Sequence, residues 1–204
     1  MSGSNILVSA ESYVRQLFSK QLPDKLCFHN LAHTEMVVKA SKEISQGMQL
    51  TNEEREIILI AAWFHDTGYI RTYAGHEEES KNIAREFLQK NQYTPLKISK
   101  VLTCIAATQL EKAPKEISEK VLRDADLYHL SSSNYFKWLG LLRKEWETVL
   151  DSKVSDDQWH LQNLDFLHQH NYCTAYGQKK LEKGKQANLK KNIQALEGYY
   201  HDAQ

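Results

Sequence analysis

Apolar residues recur every three or four positions along most of the chain, which is the spacing of amphipathic helices. A predicted helix over residues 30–47 illustrates the pattern, because Met36, Val37 and Ile44 share one face. Asn30 stands at its start and suits the N-cap position, where a side-chain oxygen accepts hydrogen bonds from the first turn. The dominant secondary structure is therefore expected to be helical.

The next predicted helix begins at Thr51 and ends near Gly68. Thr51 and Glu54 have the spacing of a capping box, which marks a helix N-terminus. The segment 57–64 (IILIAAWF) is apolar on all sides, and a helix of that character lies in the centre of a protein. A buried strand is the competing interpretation, but the cap and the length favour a helix.

The same periodicity predicts further helices in the rest of the chain. They cover residues 4–22, 76–91, a segment from 94, a segment after Pro114, 134–150, 155–170 and a lysine-rich helix at the end. Neither a repeat nor a low-complexity linker interrupts them. We therefore expect a single all-α domain over residues 1–204, a helical bundle around a central buried helix with the C-terminal helices packed onto it.

Composition and charge mainly exclude classes of partner and compartment. Lys and Arg (26) balance Asp and Glu (26), so no electrostatic signal favours a nucleic-acid partner. The longest apolar run has eight residues, too short to span a membrane, and the N-terminus does not resemble a secretory signal. The three cysteines form no CxxC pair. A cytoplasmic protein with neither a nucleic-acid nor a membrane partner is expected.

Two C-terminal segments have distinctive side chains. The aromatic stripe of helix 134–150 is expected to form core or a contact between two copies of the chain, a homodimer. The lysine-rich segment 179–191 is expected to be a solvated face, with attraction of phosphate near a site as the alternative.

The nine histidines are the unusual feature of the composition. If helices 30–47 and 51–68 form an antiparallel hairpin that turns near residue 50, His33 and His65 lie roughly 25 and 22 Å from the turn. The hairpin then brings His33 and His65 together at one end. Asp66 follows His65 directly, and His29 lies one helical turn before His33.

A later segment, VLRDADLYHL, supplies another carboxylate. Asp126 has leucines four positions away on both sides, so it lies on an apolar stripe, where a carboxylate needs a partner or a metal ion. Asp124 has Lys120 and Tyr128 in those positions and is expected to be solvated, although it is kept as the alternative ligand. Two histidines and two aspartates form a mixed nitrogen and oxygen set that suits Mn²⁺, Fe²⁺ or Zn²⁺.

These residues occur in the order H…HD…D, and the sequence resembles the HD superfamily of metal-dependent phosphohydrolases. The resemblance extends over residues 25–130 and rests on FHNLAHTEMV, AAWFHDTGY, GHEEES and RDADL. The first of these segments also resembles the YHNxxH motif of cyclic nucleotide phosphodiesterases, with Phe28 in place of the tyrosine. Residues 131–204 contain no recognisable motif.

The resemblance implies a role for each residue. A single divalent ion (Mn²⁺, Fe²⁺, Zn²⁺, Co²⁺ or Mg²⁺) would be bound by His33, His65, Asp66 and Asp126. The ion would activate a bound water for attack on phosphorus, and Asp66 would therefore be a catalytic residue as well as a ligand. His29 matches the histidine that protonates the leaving oxygen. The resemblance makes His76 and Glu77 candidates for binding a second metal or the substrate, and Arg123 a candidate ligand of a phosphate oxygen.

The sequence also departs from the two-metal members of the superfamily. Those members have two further histidines between the HD pair and the last aspartate, whereas this chain has only His76 there and reads IAATQ where the second is expected. One metal ion is therefore favoured, or a second held weakly by Asp66 and Glu77.

Each candidate also has an ordinary structural explanation. The alternatives are a core or capping role for His33 and Asp126, a helix-end polar pair for His65 and Asp66, a surface position for His29, a helix start for His76, a first-turn acid for Glu77 and a surface ion pair for Arg123.

Hydrolysis of a phosphoester bond in a nucleotide or another small phosphate ester is the expected function. The alternatives are a di-iron oxygenase of the same fold, which needs more histidine ligands, and a regulatory module that binds metal and nucleotide without turnover. The identity of the ester is left open, because one sequence does not define the shape of the pocket.

Overall fold

The computed structural model describes the backbone of residues 3–201 and the side chains of residues 6–198. Within this range it contains nine α-helices and no strand, so the predicted all-α class is confirmed. The helices are α1 (Gly3–Gln21), α2 (Leu31–Gly47), α3 (Asn52–Phe64), α4 (His76–Lys90), α5 (Pro95–Ala106), α6 (Ile117–Asp126), α7 (Tyr135–Val149), α8 (Asp156–Gln169) and α9 (Glu182–His201). Short 3-10 turns cover Thr67–Ile70 and Leu127–Ser131, and a π turn covers Gly177–Leu181.

Helix α3 is the centre of the larger core, as its apolar sequence predicted. Ile58, Ile60 and Phe64 are completely buried, because α1, α2, α5 and α6 surround the helix. No described helix combines the length and the apolar character that crossing a membrane requires.

Two local signals set the ends of α2 and α3. The Asn30 side chain accepts hydrogen bonds from the backbone N–H groups of Ala32 (2.9 Å) and His33 (3.4 Å), which confirms the predicted N-cap. Thr51 and Glu54 form the predicted capping box. Helix α3 ends at Phe64 rather than near Gly68, because the chain turns into the 3-10 segment directly after the HD pair.

Gly68 permits this 3-10 turn to approach α4 closely. A Cβ atom at residue 68 would lie 1.9 Å from the carbonyl oxygen of His76, so no larger residue fits there. The backbone N–H of Gly68 donates to Ser80 Oγ at 2.8 Å, which fixes the contact. The first residue of α4, His76, is therefore held beside His65 and Asp66.

A second, smaller apolar cluster forms where α7, α8 and α9 meet the 127–131 turn. Its buried members are Leu127, Leu130, Tyr135, Leu139, Trp159, Leu167 and Leu189. The C-terminal helices thus pack against one another and join the bundle mainly through the turn that follows α6. The aromatic stripe of α7 forms part of this cluster, which agrees with its predicted role as core.

Asp124 connects the two parts of the chain and is not solvated, so that expectation was wrong. Its carboxylate is fully buried and accepts hydrogen bonds from the backbone N–H groups of Cys173 (2.7 Å) and Thr174 (2.9 Å) and from the Thr174 hydroxyl (2.7 Å). Burial raises its pKa above the ordinary value, although these hydrogen bonds act in the opposite direction. The helix spacing did not indicate this burial, because the segment that covers α6 lies about fifty residues later.

Candidate metal centre

Ligand atoms of His33, His65 and Asp66 lie within 4.8 Å of one another, and Asp126 contacts both histidines. His33 comes from α2, His65 and Asp66 follow the end of α3, and Asp126 ends α6. The Nε2 atoms of the two histidines lie 3.4 Å apart, so the predicted hairpin geometry is confirmed. His33 Nε2 lies 3.5 Å from Asp66 Oδ2 and 3.0 Å from Asp126 Oδ1, and His65 Nε2 lies 3.2 and 3.4 Å from the same two oxygens.

These separations fit the ligand shell of a divalent cation. With metal–ligand bonds of about 2.1 Å, neighbouring ligands are about 3.0 Å apart in an octahedron and about 3.4 Å apart in a tetrahedron. His65 Nδ1 lies 2.8 Å from the carbonyl oxygen of Ala62, a contact that places the proton on Nδ1 and leaves the Nε2 lone pair for a metal. Asp66 Oδ2 is buried without a hydrogen-bond partner among the described residues, as expected of an oxygen that binds an ion.

The electrostatics of the cluster favour ionised carboxylates. Burial opposes ionisation of Asp66 and Asp126, but the adjacent imidazoles outweigh it and hold both pKa values below the ordinary range. The pKa of His65 is correspondingly raised by the two aspartates, despite burial. Metal binding at this cluster would therefore release protons from imidazole, because a ligand nitrogen must be unprotonated.

His76 and Glu77 lie at the edge of the cluster. His76 Nε2 is 3.4 Å from Asp66 Oδ1, whereas His33 faces the other oxygen, Oδ2. The Nδ1 atom of His76 is 3.7 Å from Glu77 Oε2. The pKa of His76 is raised by Asp66, although burial lowers it. Both residues are thus brought to the site, and their roles as second-metal or substrate ligands stay predictions.

His29 lies at the site and pairs with a residue that the sequence analysis missed. Its Nδ1 is 2.5 Å from Glu145 Oε1, and the other oxygen of Glu145 accepts the backbone N–H groups of Phe28 (2.8 Å) and His29 (3.0 Å). The hydroxyl of Tyr73 donates to Oε1 at 3.0 Å. Although burial raises the pKa of Glu145, the bond to His29 and the backbone donors lower it below the ordinary value.

A signal for Glu145 was present in the sequence. It lies on the apolar stripe of α7, three residues after Leu142 and four before Val149, and its side chain is completely buried. The argument that selected Asp126, a carboxylate on an apolar face, applies equally to Glu145.

Three of the predicted ligands, His33, Asp66 and Asp126, line a pocket of about 690 Å³. His29, His76, Glu77 and the aromatic rings of Tyr69 and Tyr73 also line it. Side chains of α7, α8 and Leu150 line another part, namely Tyr135, Leu139, Leu142, Trp146, Leu150, Trp159, Gln162, Asn163 and Phe166. One side of the aromatic stripe thus lines this pocket, in addition to forming core.

His129 also lines the pocket, although the sequence analysis treated it as an ordinary histidine. Burial lowers its pKa to about 4, so it is neutral at physiological pH. The side chain of His201, at the end of α9, lies outside the described residues.

Arg123 is not brought into the pocket. Its guanidinium is nearly buried and donates to the carbonyl oxygens of Ala107 (2.6 Å), Lys112 (2.7 Å) and Gln109, which lie in the segment that follows α5. The guanidinium that suggested a phosphate ligand is therefore hydrogen-bonded to the loop after α5, and the structure gives no support to a role in substrate binding.

Comparison with known proteins agrees with this geometry. The HD domain family matches residues 30–131, which include all four predicted metal ligands. No match is found among curated proteins. The crystal structure of the Lin1889 protein from Listeria innocua has a similar fold, with a TM-score of 0.66, 22% sequence identity, and coverage of 97% of this chain and 96% of that chain. The family match covers half of the sequence and contains its H…HD…D residues, and the chain belongs to the HD domain family.

Proposed function

We propose that the protein is a metal-dependent phosphohydrolase that cleaves a phosphoester bond of a nucleotide or another small phosphate ester in the cytoplasm. The observation that carries this proposal is the cluster of His33, His65, Asp66 and Asp126 at the pocket, in which the buried Asp66 Oδ2 has no hydrogen-bond donor among the described residues. We expect one divalent ion per chain.

His33, His65, Asp66 and Asp126 would hold this ion, for which the candidates are Mn²⁺, Fe²⁺, Zn²⁺, Co²⁺ and Mg²⁺. When bound, a divalent ion supplies an activated water and offsets negative charge on the phosphoryl oxygens. The remaining chemistry belongs to the residues around the cluster.

His29 would transfer a proton to the leaving oxygen. Its Nδ1–H donates a hydrogen bond to the Glu145 carboxylate, which leaves Nε2 as the nitrogen that exchanges a proton with the substrate. Glu145 stabilises the charged imidazolium that acts as the acid, and it also fixes the ring through the backbone N–H of His29. After transfer from Nε2, the neutral ring keeps its Nδ1 proton and its bond to Glu145.

Tyr69 holds the orientation of His29 from the other side. Its ring stacks on the His29 ring at 4.4 Å and on the His76 ring at 3.8 Å, so the three rings form one stack beside the cluster. A rigid stack of this kind keeps both imidazoles in place without using their hydrogen-bonding atoms.

The test uses protein stripped of metal and reloaded separately with Mn²⁺, Co²⁺, Fe²⁺, Zn²⁺ and Mg²⁺. Metal content is measured, and release of phosphate or of the alcohol is followed with monophosphates, triphosphates and cyclic nucleotides. Asp66→Asn should lose both metal and turnover while it stays helical, whereas Glu147→Gln, at a partly exposed carboxylate of α7, should keep both.

Three outcomes would contradict the proposal. No turnover with any metal, in protein that binds one ion per chain, rejects a hydrolase. Nucleotide protection against thermal unfolding without hydrolysis indicates a regulatory module. Two iron ions per chain together with oxygen consumption indicate a di-iron oxygenase.

A further inference from the structure

The part of the pocket that α7 and α8 form is an apolar chamber. Leu139, Leu142, Trp146, Trp159 and Phe166 form its walls. The rings of Trp146 and Trp159 meet edge to face, with centroids 5.5 Å apart.

Two leucines extend this apolar surface to the protein exterior. Leu110 is 58% exposed and Leu150 is 51% exposed, and both line the same pocket. Large exposed apolar side chains at the edge of a cavity are typical of a ligand-binding site. The chamber is continuous with the metal cluster, so one molecule can contact both.

Histidine is the only basic residue type in the described lining of the pocket. Among the side chains described for residues 6–198, the lining includes no lysine and no arginine, whereas Glu77 and Glu111 contribute carboxylates in addition to Asp66 and Asp126. A divalent ion would balance the two aspartates, and the imidazoles of His29 and His76 face the carboxylates of Glu145 and Glu77. No cation of this lining is therefore left for a second or third phosphate, and Glu111 repels such a ligand.

Several basic side chains outside the lining are used elsewhere. Arg123 donates to backbone carbonyls, and Arg143 pairs with Glu147 (3.0 Å) and Asp156 (2.6 Å). The lysines of segment 179–191 do not line the pocket, and Lys185 is buried and donates to the carbonyl oxygen of His170. Attraction of phosphate by this segment is therefore not supported at the described pocket.

We propose that the substrate is an ester of a single phosphoryl group with an uncharged, ring-containing alcohol, whose ring occupies the chamber of α7 and α8. This inference rests on the proposed function, because the phosphoryl group is placed at the metal cluster. A nucleoside and a simple aryl alcohol share this chemistry, whereas a polyphosphate and a small hydrophilic alcohol do not.

Binding is tested first, without turnover. Calorimetric titration of the Mn²⁺-loaded protein compares naphthylmethylphosphonate with methylphosphonate, which are not hydrolysed and differ only in the ring. Burial of the ring should tighten binding by about tenfold or more. A second comparison uses the phosphonate analogues of adenosine monophosphate and adenosine triphosphate, in which a methylene group replaces the 5′ ester oxygen, with Asp66→Asn as the metal-free control. The triphosphate analogue should bind about tenfold more weakly.

Variants then locate the ring. Trp146→Ala should remove most of the advantage of naphthylmethylphosphonate over methylphosphonate. Since Trp146 also contributes to the smaller core, Leu150→Ser provides a second variant at a half-exposed position and should weaken only the naphthyl ligand, by about threefold. The matched control is Leu161→Ser, because Leu161 is 40% exposed on α8 but does not line the pocket.

The outcomes separate this inference from the proposed function. Tight, Leu150-dependent binding of the naphthyl ligand supports the chamber even if every phosphoester is left intact, a result that would reject only the hydrolase. Equal binding of the two phosphonates, or a triphosphate that binds as tightly as the monophosphate, overturns the inference even if phosphoesters are hydrolysed.

Discussion

Replacing Glu145 with glutamine tests whether a buried carboxylate of α7 organises His29, the proposed general acid. The side chain is completely buried and makes four contacts, with the backbone N–H groups of Phe28 and His29, the Tyr73 hydroxyl and His29 Nδ1. Glutamine has nearly the same shape and keeps one oxygen, which can accept the two backbone N–H groups. Its amide nitrogen must then face His29 Nδ1 and Tyr73.

The expected loss in the free energy of unfolding follows from these contacts. A hydrogen bond to a charged group contributes about 1 kcal/mol more than a neutral one, so four contacts amount to about 4 kcal/mol. Burying a neutral amide rather than a carboxylate recovers part of this, because burial penalises the charged form. We expect a net loss of about 2 kcal/mol in the free energy of unfolding. For a chain of this size, that corresponds to a fall of about 4 to 8 °C in Tm.

Urea unfolding at pH 7, followed by far-ultraviolet circular dichroism on metal-free protein, measures the loss. Because the folded pKa of Glu145 lies below the unfolded value of 4.5, its stabilisation is complete above pH 4.5 and is lost as the pH falls through the folded value. The difference between wild type and Glu145→Gln should therefore narrow in acid. In metal-loaded protein, kcat should fall about 100-fold, because the amide does not stabilise the imidazolium of His29.

Glu147→Gln is the matched control on the same helix. Its carboxylate is partly exposed and pairs with Arg143, so its loss should change stability by about 0.5 kcal/mol or less. A Glu145→Gln variant within 0.5 kcal/mol of wild type, or one with unchanged kcat, would refute the reasoning about this pair.

Three further predictions concern other residues. Mn²⁺ at 100 times its Kd should stabilise the wild type by about 2.7 kcal/mol in thermal unfolding, and Asp66→Asn should show no such gain. Arg123→Lys should lower stability by about 3 kcal/mol, through lost bonds to the carbonyls after α5, and leave KM unchanged. Burial, and secondly Lys185, lower the pKa of His170 to about 4, so protonation favours the unfolded chain below pH 6.5. Between pH 7 and pH 5, urea unfolding should show the wild type losing roughly 1 to 2 kcal/mol more stability than His170→Phe; an identical loss in the variant would contradict this assignment.

Much of the site was predictable because its signals are local. The hairpin of α2 and α3 followed from helix periodicity and caps, and it places His33 beside His65. Asp126 was recognised as a carboxylate on an apolar stripe. Arg123 and Asp124 show the limit of this method, because helix spacing indicates which residues share a face but not which later segment covers that face.

The sequence by itself determined the helical class, the start of α2, the capping box of α3 and the order of the ligands, since each depends on residues near one another in the chain. Only the tertiary structure decided that Glu145 meets His29, 116 residues away, and that α7 and α8 enclose an apolar chamber. The physical reason is that burial of these faces depends on how the helices pack, and periodicity within one helix carries no information about its neighbour.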